Sequence, residues 1–260
     1  MKKSMILLGT AFVCLVLFLV AIKIRSLSYD DDGPGLAVRW EGFYHDYNFR
    51  DVGISLNECL GERVFRPGVL MRAAGWFSGW SCDGVGNPDT IFSLNYSPEK
   101  TERYFCQGAE GKTIGRFYNT QITLNDLEFP ATWEDERMRS SVCGFIGGIF
   151  REMVAGKKTL IHCDAGRDRT GAITALIAAL VAEESRMLDS RMLAAIECDY
   201  RKTASLDEQK HGRMKQFITD LQTQGGVAAF LQNQCRVDAA LLQQVSCTLR
   251  YADHPARLCL

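Results

Sequence analysis

Apolar residues in this chain fall into one long continuous block followed by several short periodic ones. From Met5 to Ile22 there is no charge, and only Gly9, Thr10 and Cys14 soften the run, with Lys2 and Lys3 before it and Lys23 and Arg25 after. As a helix it would reach roughly 27 Å, close to the hydrocarbon thickness of a bilayer. Residues 1–25 are therefore expected to be a membrane anchor or a signal peptide. The end of the run, Leu19-Val20-Ala21-Ile22-Lys23, fits a small-residue cleavage site poorly and favours an uncleaved, single-pass transmembrane helix. Residues 26–36, with Asp30-Asp31-Asp32 and Gly33-Pro34-Gly35, read as a polar tether, and one folded domain is expected over 37–260.

Within that domain the pattern alternates between strand and helix. Thr90 to Leu94 and Arg116 to Ile122 read as strands. A helix is predicted to open at Thr132, where Asp135 three residues later makes a variant capping box, and Met138, Val142, Phe145, Ile149 and Met153 follow at helical spacing. Gly144, Gly147 and Gly148 weaken it. A short buried strand at Thr159 to His162 precedes a helix from Thr170 to Glu184. That helix is apolar nearly all round, through Ala172, Ile173, Leu176, Ile177, Leu180 and Val181, so it is expected to cross the core. The alternation predicts an α/β fold with a central sheet flanked by helices.

Charge and cysteine content narrow the classes. Thirty basic residues against 31 acidic ones leave no electrostatic case for a nucleic-acid partner. Of ten cysteines, Cys14 lies in the apolar run and Cys163 is assigned to chemistry below, leaving Cys59, Cys82, Cys106, Cys143, Cys198, Cys235, Cys247 and Cys259. Eight cysteines in an oxidising compartment allow 105 complete pairings; as free thiols they would serve as small buried hydrophobes. The spacing does not choose between these. No C-x2-C pair occurs and the four histidines are scattered, so no metal site is expected. Basic residues flank the apolar run on both sides, and the positive-inside rule leans towards a non-cytoplasmic domain, periplasmic or secreted.

The chemistry lies where the buried strand meets the core helix, at His162-Cys163-Asp164-Ala165-Gly166-Arg167-Asp168-Arg169-Thr170-Gly171. A cysteine followed by five residues and an arginine, between strand and helix, is what holding a phosphate beside a thiolate requires. Such a loop turns backbone N–H groups towards one point and the helix dipole adds positive potential. Gly166 lets the backbone pass close around the anion. The same field is expected to favour the thiolate of Cys163 and make it a nucleophile. Arg169 can grip two phosphate oxygens, and the Thr170 hydroxyl can donate to the sulfur. Asp164, Ala165, Gly166, Arg167 and Thr170 are accordingly expected to bind the substrate phosphate, with Cys163 and Arg169 catalytic. Attack would yield a phosphocysteine that water then hydrolyses.

This loop resembles that of the bacterial tyrosine/serine phosphatases, members of the cysteine-dependent protein-tyrosine phosphatase superfamily, with Arg167 where the family usually has Lys. Asn48-Phe49-Arg50-Asp51-Val52-Gly53, Arg63 to Arg72, and Gly225-Gly226-Val227 with Phe230-Leu231 resemble the family's outer motifs in the same order. Asn95-Tyr96 departs from it, standing where Asp-Leu-Arg is usual. The resemblance implies a phosphatase fold and hydrolysis of phosphotyrosine, phosphoserine/threonine or phosphoinositide esters, with dual specificity within its range and no metal or organic cofactor.

The general acid is left open among three carboxylates. In the resembling family the aspartate at Asp168 is a proposed acid; Asp126 lies on a polar loop of the kind that carries the acid elsewhere in the superfamily; Asp135 ranks third because its capping position suits the helix. Arg167 adds a second cation that would suit a highly charged headgroup, or else it faces solvent or pairs with Asp164. Tyr200-Arg201-Lys202 and Lys210 to Arg213, mixed with Asp199, Asp207 and Glu208, read as solvated faces. Two other functions fit parts of the pattern: a catalytically silent phosphate-binding module, and a rhodanese-like sulfur transferase. The presence of Cys163, Arg169 and Thr170 together favours the phosphatase.

Overall fold

The structure, a computed structural model, describes residues 15–17, 48–75, 81–96, 105–108, 114, 116–119, 136–163, 165–203, 206 and 208–251. Of the expected anchor only 15–17 are described, a helical fragment with exposed Leu15, Val16 and Leu17. Among the described residues no helix is long and apolar enough to cross a membrane. The rest of the anchor, the tether, Asp126, Asp135 and Asp164 lie outside the described residues.

Five strands form one sheet in the order β1-β2-β5-β3-β4. These are β1 (Arg50–Asp51), β2 (Leu70–Ala74), β3 (Thr90–Tyr96), β4 (Arg116–Asn119) and β5 (Thr159–Cys163). β1 pairs antiparallel with β2 and every other pairing is parallel. The central strand β5 is buried along its whole length and is held by β2 on one side, Leu70 to Ala74 against Thr159 to Cys163, and by β3 on the other. Its apolar run, Thr-Leu-Ile-His-Cys, is what a strand covered on both faces requires.

Alternation along the strands sorts their side chains into two layers. Leu70, Phe92, Leu94, Ile161 and Cys163 belong to the larger core, shared with the helices. Met71, Ala73, Ile91 and Leu160 face a smaller cluster with Val85 and the Cys82–Cys106 disulfide. The larger core is built by α1 (Val52–Leu60), α2 (Glu136–Val154), α3 (Asp168–Glu184), α4 (Ser190–Arg201), α5 (Arg213–Thr223), α6 (Val227–Asn233) and α7 (Ala239–Leu249).

The core helix of the sequence reading is α3, which is buried from Asp168 to Ala182 and packs against α4, α5, α6 and α7 as well as β2 and β5. It starts two residues earlier than predicted, inside the Cys163 to Arg169 loop, and β5 runs one residue further, to Cys163. α2 passes through its three glycines unbroken. At Gly148 a Cβ would lie 3.0 Å from the Phe92 ring, so this glycine serves close packing of helix on sheet. Disulfides join Cys59 to Cys198 and Cys143 to Cys235, and Cys247 is also disulfide-bonded; Cys163 is a free, buried thiol. Among the described residues every cysteine except Cys163 is bridged, which decides between the two readings the spacing left open.

Candidate active site

Cys163 ends β5 at its carboxyl edge, where parallel sheets place their ligands. The chain then turns through Ala165, Gly166 and Arg167 into α3. Gly166 sits at φ +64°, and a Cβ there would lie 2.5 Å from the backbone carbonyl of Ala73. Only glycine fits, because the loop lies directly against β2.

The loop is held from behind by two side chains. Asn48 donates through Nδ2 to the carbonyls of Ala165 and Gly166, both at 3.1 Å. Arg72 donates through Nη2 to the carbonyls of Gly166 at 2.9 Å and Arg167 at 3.3 Å. In a trans peptide the carbonyl and the next N–H point in opposite directions. Drawing three successive carbonyls to one side therefore turns the N–H groups of Gly166, Arg167 and Asp168 to the other, at the positive end of α3. The N-cap residue of α3, Arg167, makes no side-chain cap bond. The buried Thr170 hydroxyl has no hydrogen-bond partner among the described residues. A buried hydroxyl left that way costs about 1–3 kcal/mol, which a bound anion or the thiolate would offset. Arg169 is buried in the first turn of α3.

Arg72 lies in a strand that is otherwise apolar, on the face of the sheet that holds Cys163, opposite Ile161 in register. Its guanidinium is completely inaccessible and donates through Nη1 to Asp199 at 2.6 Å. Burial brings its pKa down to about 10, and the like charge of Arg50 adds to this, while Asp199 and Cys163 oppose it. Asp199, on α4, also accepts from Arg50 Nε at 2.9 Å and from the Ser55 hydroxyl at 2.6 Å. Burial would raise its pKa, but Arg50 and Arg72 outweigh that and hold it well below the usual carboxylate range. Arg50 in turn donates to Asn48 Oδ1 at 2.8 Å.

Arg167 and Asp168 engage each other. Arg167 is 2% exposed and donates through Nε to Asp168 at 2.9 Å, so it neither faces solvent nor stands as an unengaged second cation. Asp168 also accepts from Lys210 at 3.0 Å and from the Tyr200 hydroxyl. Burial favours its neutral form, yet Arg167, Tyr200 and Lys210 together hold its pKa below the ordinary value. The charges read as a solvated face, Asp199 and Lys210 with Tyr200 between them in sequence, are buried and support the loop, because α4 and the 3-10 turn Glu208–Lys210 fold back over it. Arg201 and Lys202 are exposed, as expected.

The outer motifs gain physical roles. Asn48 and Arg50 reach the loop and its brace, Asp51 caps α1 by accepting from Ile54 N at 3.0 Å, and a Cβ on Gly53 would meet the Arg66 carbonyl at 2.5 Å. Gly226, at φ +100°, lets Glu183 accept from Val227 N at 2.7 Å. Arg72 and Asp199 were missed as site residues; the available signal was a lone arginine inside a buried strand pattern, which demands a buried partner. Among the described residues no group of His, Cys, Asp or Glu could hold a metal ion. A search of curated proteins finds no match. Residues 144–251, which span most of α2, then β5, the Cys163 loop and helices α3 to α7, match the model of the tyrosine phosphatase family, and this match supports a protein-tyrosine-phosphatase-like family for that region.

Proposed function

We propose that the chain hydrolyses phosphomonoesters through a phosphocysteine at Cys163, with phosphotyrosine as the main substrate class and phosphoserine/threonine or phosphoinositide esters as the alternatives. The observation that carries this is the loop itself: a free buried cysteine at the end of β5, with the carbonyls of Ala165, Gly166 and Arg167 all held from behind. The Cys163 sulfur attacks phosphorus as the bond to the leaving oxygen breaks, while loop N–H groups and Arg169 hold the equatorial oxygens. Asp168 gives the leaving oxygen its proton, and in the second step takes one from the water that attacks the phosphocysteine. Its three donors keep it charged in this structure; a dianionic phosphate beside it raises its pKa and lets it acquire the proton. The reaction so read needs no metal or organic cofactor.

Arg167 is engaged by Asp168, which leaves less positive charge for a second phosphate and supports a phosphotyrosine ester over a multiply phosphorylated headgroup. Disulfides at Cys59–Cys198, Cys82–Cys106 and Cys143–Cys235 support an oxidising compartment, consistent with a domain held outside the cytoplasm by the apolar N-terminal run.

The test is initial-rate hydrolysis of phosphotyrosine, phosphoserine and phosphoinositide substrates by the wild type and by Cys163→Ser. Phosphate release that falls roughly 10^4-fold in the variant is expected. Full activity of Cys163→Ser would overturn the nucleophile, and no release from any substrate would favour the silent binding module. Asp168→Asn and Asp126→Asn, each assayed on a good and a poor leaving group, test the acid. Asp168→Asn is expected to lose more on the poor one, and a larger selective loss for Asp126→Asn would move the role there.

A further inference from the structure

Among the described residues Asp199 makes no hydrogen bond to the loop, yet three of its contacts lead to the residues that hold it. Oδ2 accepts from Arg72, whose other terminal nitrogen grips the carbonyls of Gly166 and Arg167. Oδ1 accepts from Arg50, which fixes Asn48, which grips the carbonyls of Ala165 and Gly166. Arg50 also donates to the Asp199 carbonyl at 2.8 Å and to the Thr203 hydroxyl at 3.0 Å, so both the side chain and the backbone of this residue are used. Position 199 is itself fixed on both sides. Cys198 is bridged to Cys59 on α1, and the Tyr200 ring lies where a Cβ on Gly171 would meet it at 2.8 Å.

We propose that Asp199 is a positioning residue for phosphate binding: its charge aims Arg72 and Arg50 so that the loop carbonyls stay turned away from the substrate. This rests on the phosphatase reading above and assigns to a carboxylate remote from the reacting atoms the shape of the anion cradle. A buried guanidinium pointing at two carbonyls needs a counter-charge on its far side, and without one it would reorient or leave the interior. The carbonyls it releases could then swing their oxygens towards the anion, where they repel it. The whole arrangement is one connected network, so its members act together rather than as independent contacts.

The experiment uses the full chain and two readouts: competitive inhibition of aryl phosphate hydrolysis by vanadate, and binding of inorganic phosphate by calorimetry. Asp199→Asn is expected to weaken vanadate inhibition and phosphate binding about tenfold or more and to raise KM. Glu197→Gln, two residues earlier on the same buried helix, removes a carboxylate that accepts from Gly212, Met214 and Lys215 N–H groups. It is expected to lower the Tm while leaving vanadate inhibition unchanged. The double variant Arg72→Met, Asp199→Leu removes both buried charges. It is expected to regain much of the stability lost in either single variant without regaining phosphate affinity. Unchanged phosphate affinity in Asp199→Asn, or its return in the double variant, would overturn the proposal. Because phosphate binding is read without turnover, a chain that binds phosphate in an Asp199-dependent way but hydrolyses nothing would sink the phosphatase reading and keep this one.

Discussion

Among the described residues, three helices start without a capping side chain of their own, and they are completed differently. α5 begins after Gly212, and the Glu197 carboxylate from α4 accepts from Gly212 N at 2.6 Å and from Met214 and Lys215 N–H groups. α6 begins after Gly226, and Glu183 from the end of α3 accepts from Val227 and Ala228. In both, the chain supplies its own anion to a helix N-terminus. α3 begins after Arg167 with no side-chain cap, and the residues around it, Asn48 and Arg72, bind its loop carbonyls instead. The same physics is used in opposite ways. Where an anion is built in, the helix end stabilises the fold; where the surrounding groups present donors, it is suited to an anion from outside.

The comparison breaks most sharply at Gly166. A Cβ there would press on the β2 backbone at 2.5 Å in a conformation that disfavours other residues, so Gly166→Ala is expected to lower kcat/KM by roughly 100-fold or more and to abolish phosphate binding. Removing the bridge beside Asp199, as Cys59→Ala with Cys198→Ala, comes next. It is expected to cost about 2–5 kcal/mol by denaturant unfolding and to weaken phosphate binding as α4 loosens from α1. Glu183→Gln sharpens the contrast from the other side, since it disturbs a helix end whose anion is internal. About 1–3 kcal/mol of stability should be lost with kcat/KM unchanged within a few-fold.

The smallest effect is on acid stability. Asp168 and Asp199 both have folded-state pKa values below the ordinary carboxylate range. A carboxylate shifted in that direction stabilises the fold fully above its unfolded value near 4, and loses the contribution as pH falls through the folded value. Stability should therefore be level above about pH 5 and decline below it. Asp199→Asn should flatten that decline, which is checked by thermal unfolding from pH 7 to pH 3.

The loop was legible in the sequence because its parts are contiguous: Cys163, Gly166, Arg169 and Thr170 lie within one strand-to-helix turn, and α3 announces itself by being apolar all round. The mixed pattern over α4 to α7 does not announce helices in the sequence, and α4 carries the carboxylate that organises the site. Its Glu-Cys-Asp-Tyr-Arg stretch mixes charges as a solvated face does, and only its packing on α1 and α3, with Arg72 of β2 as partner, makes Asp199 a buried group. Arg72 was passed over for the converse reason. An arginine in Leu-Met-Arg-Ala-Ala becomes interpretable when its partner, 127 residues away, is in place.

By itself the sequence determined the α/β alternation, the position of the core helix and the strand-to-helix placement of the Cys163 to Arg169 loop, because periodicity and turn signals are local properties. The tertiary structure decided what those local signals leave open. It selected three of the possible cysteine pairings, buried Arg167 against Asp168, and joined Asn48 and Arg72 to the loop, and Arg50 and Arg72 to Asp199, across separations of 94 to 149 residues. A charge acquires a role in the interior only when the fold removes its water and supplies a partner, and that pairing is written in no single stretch of chain.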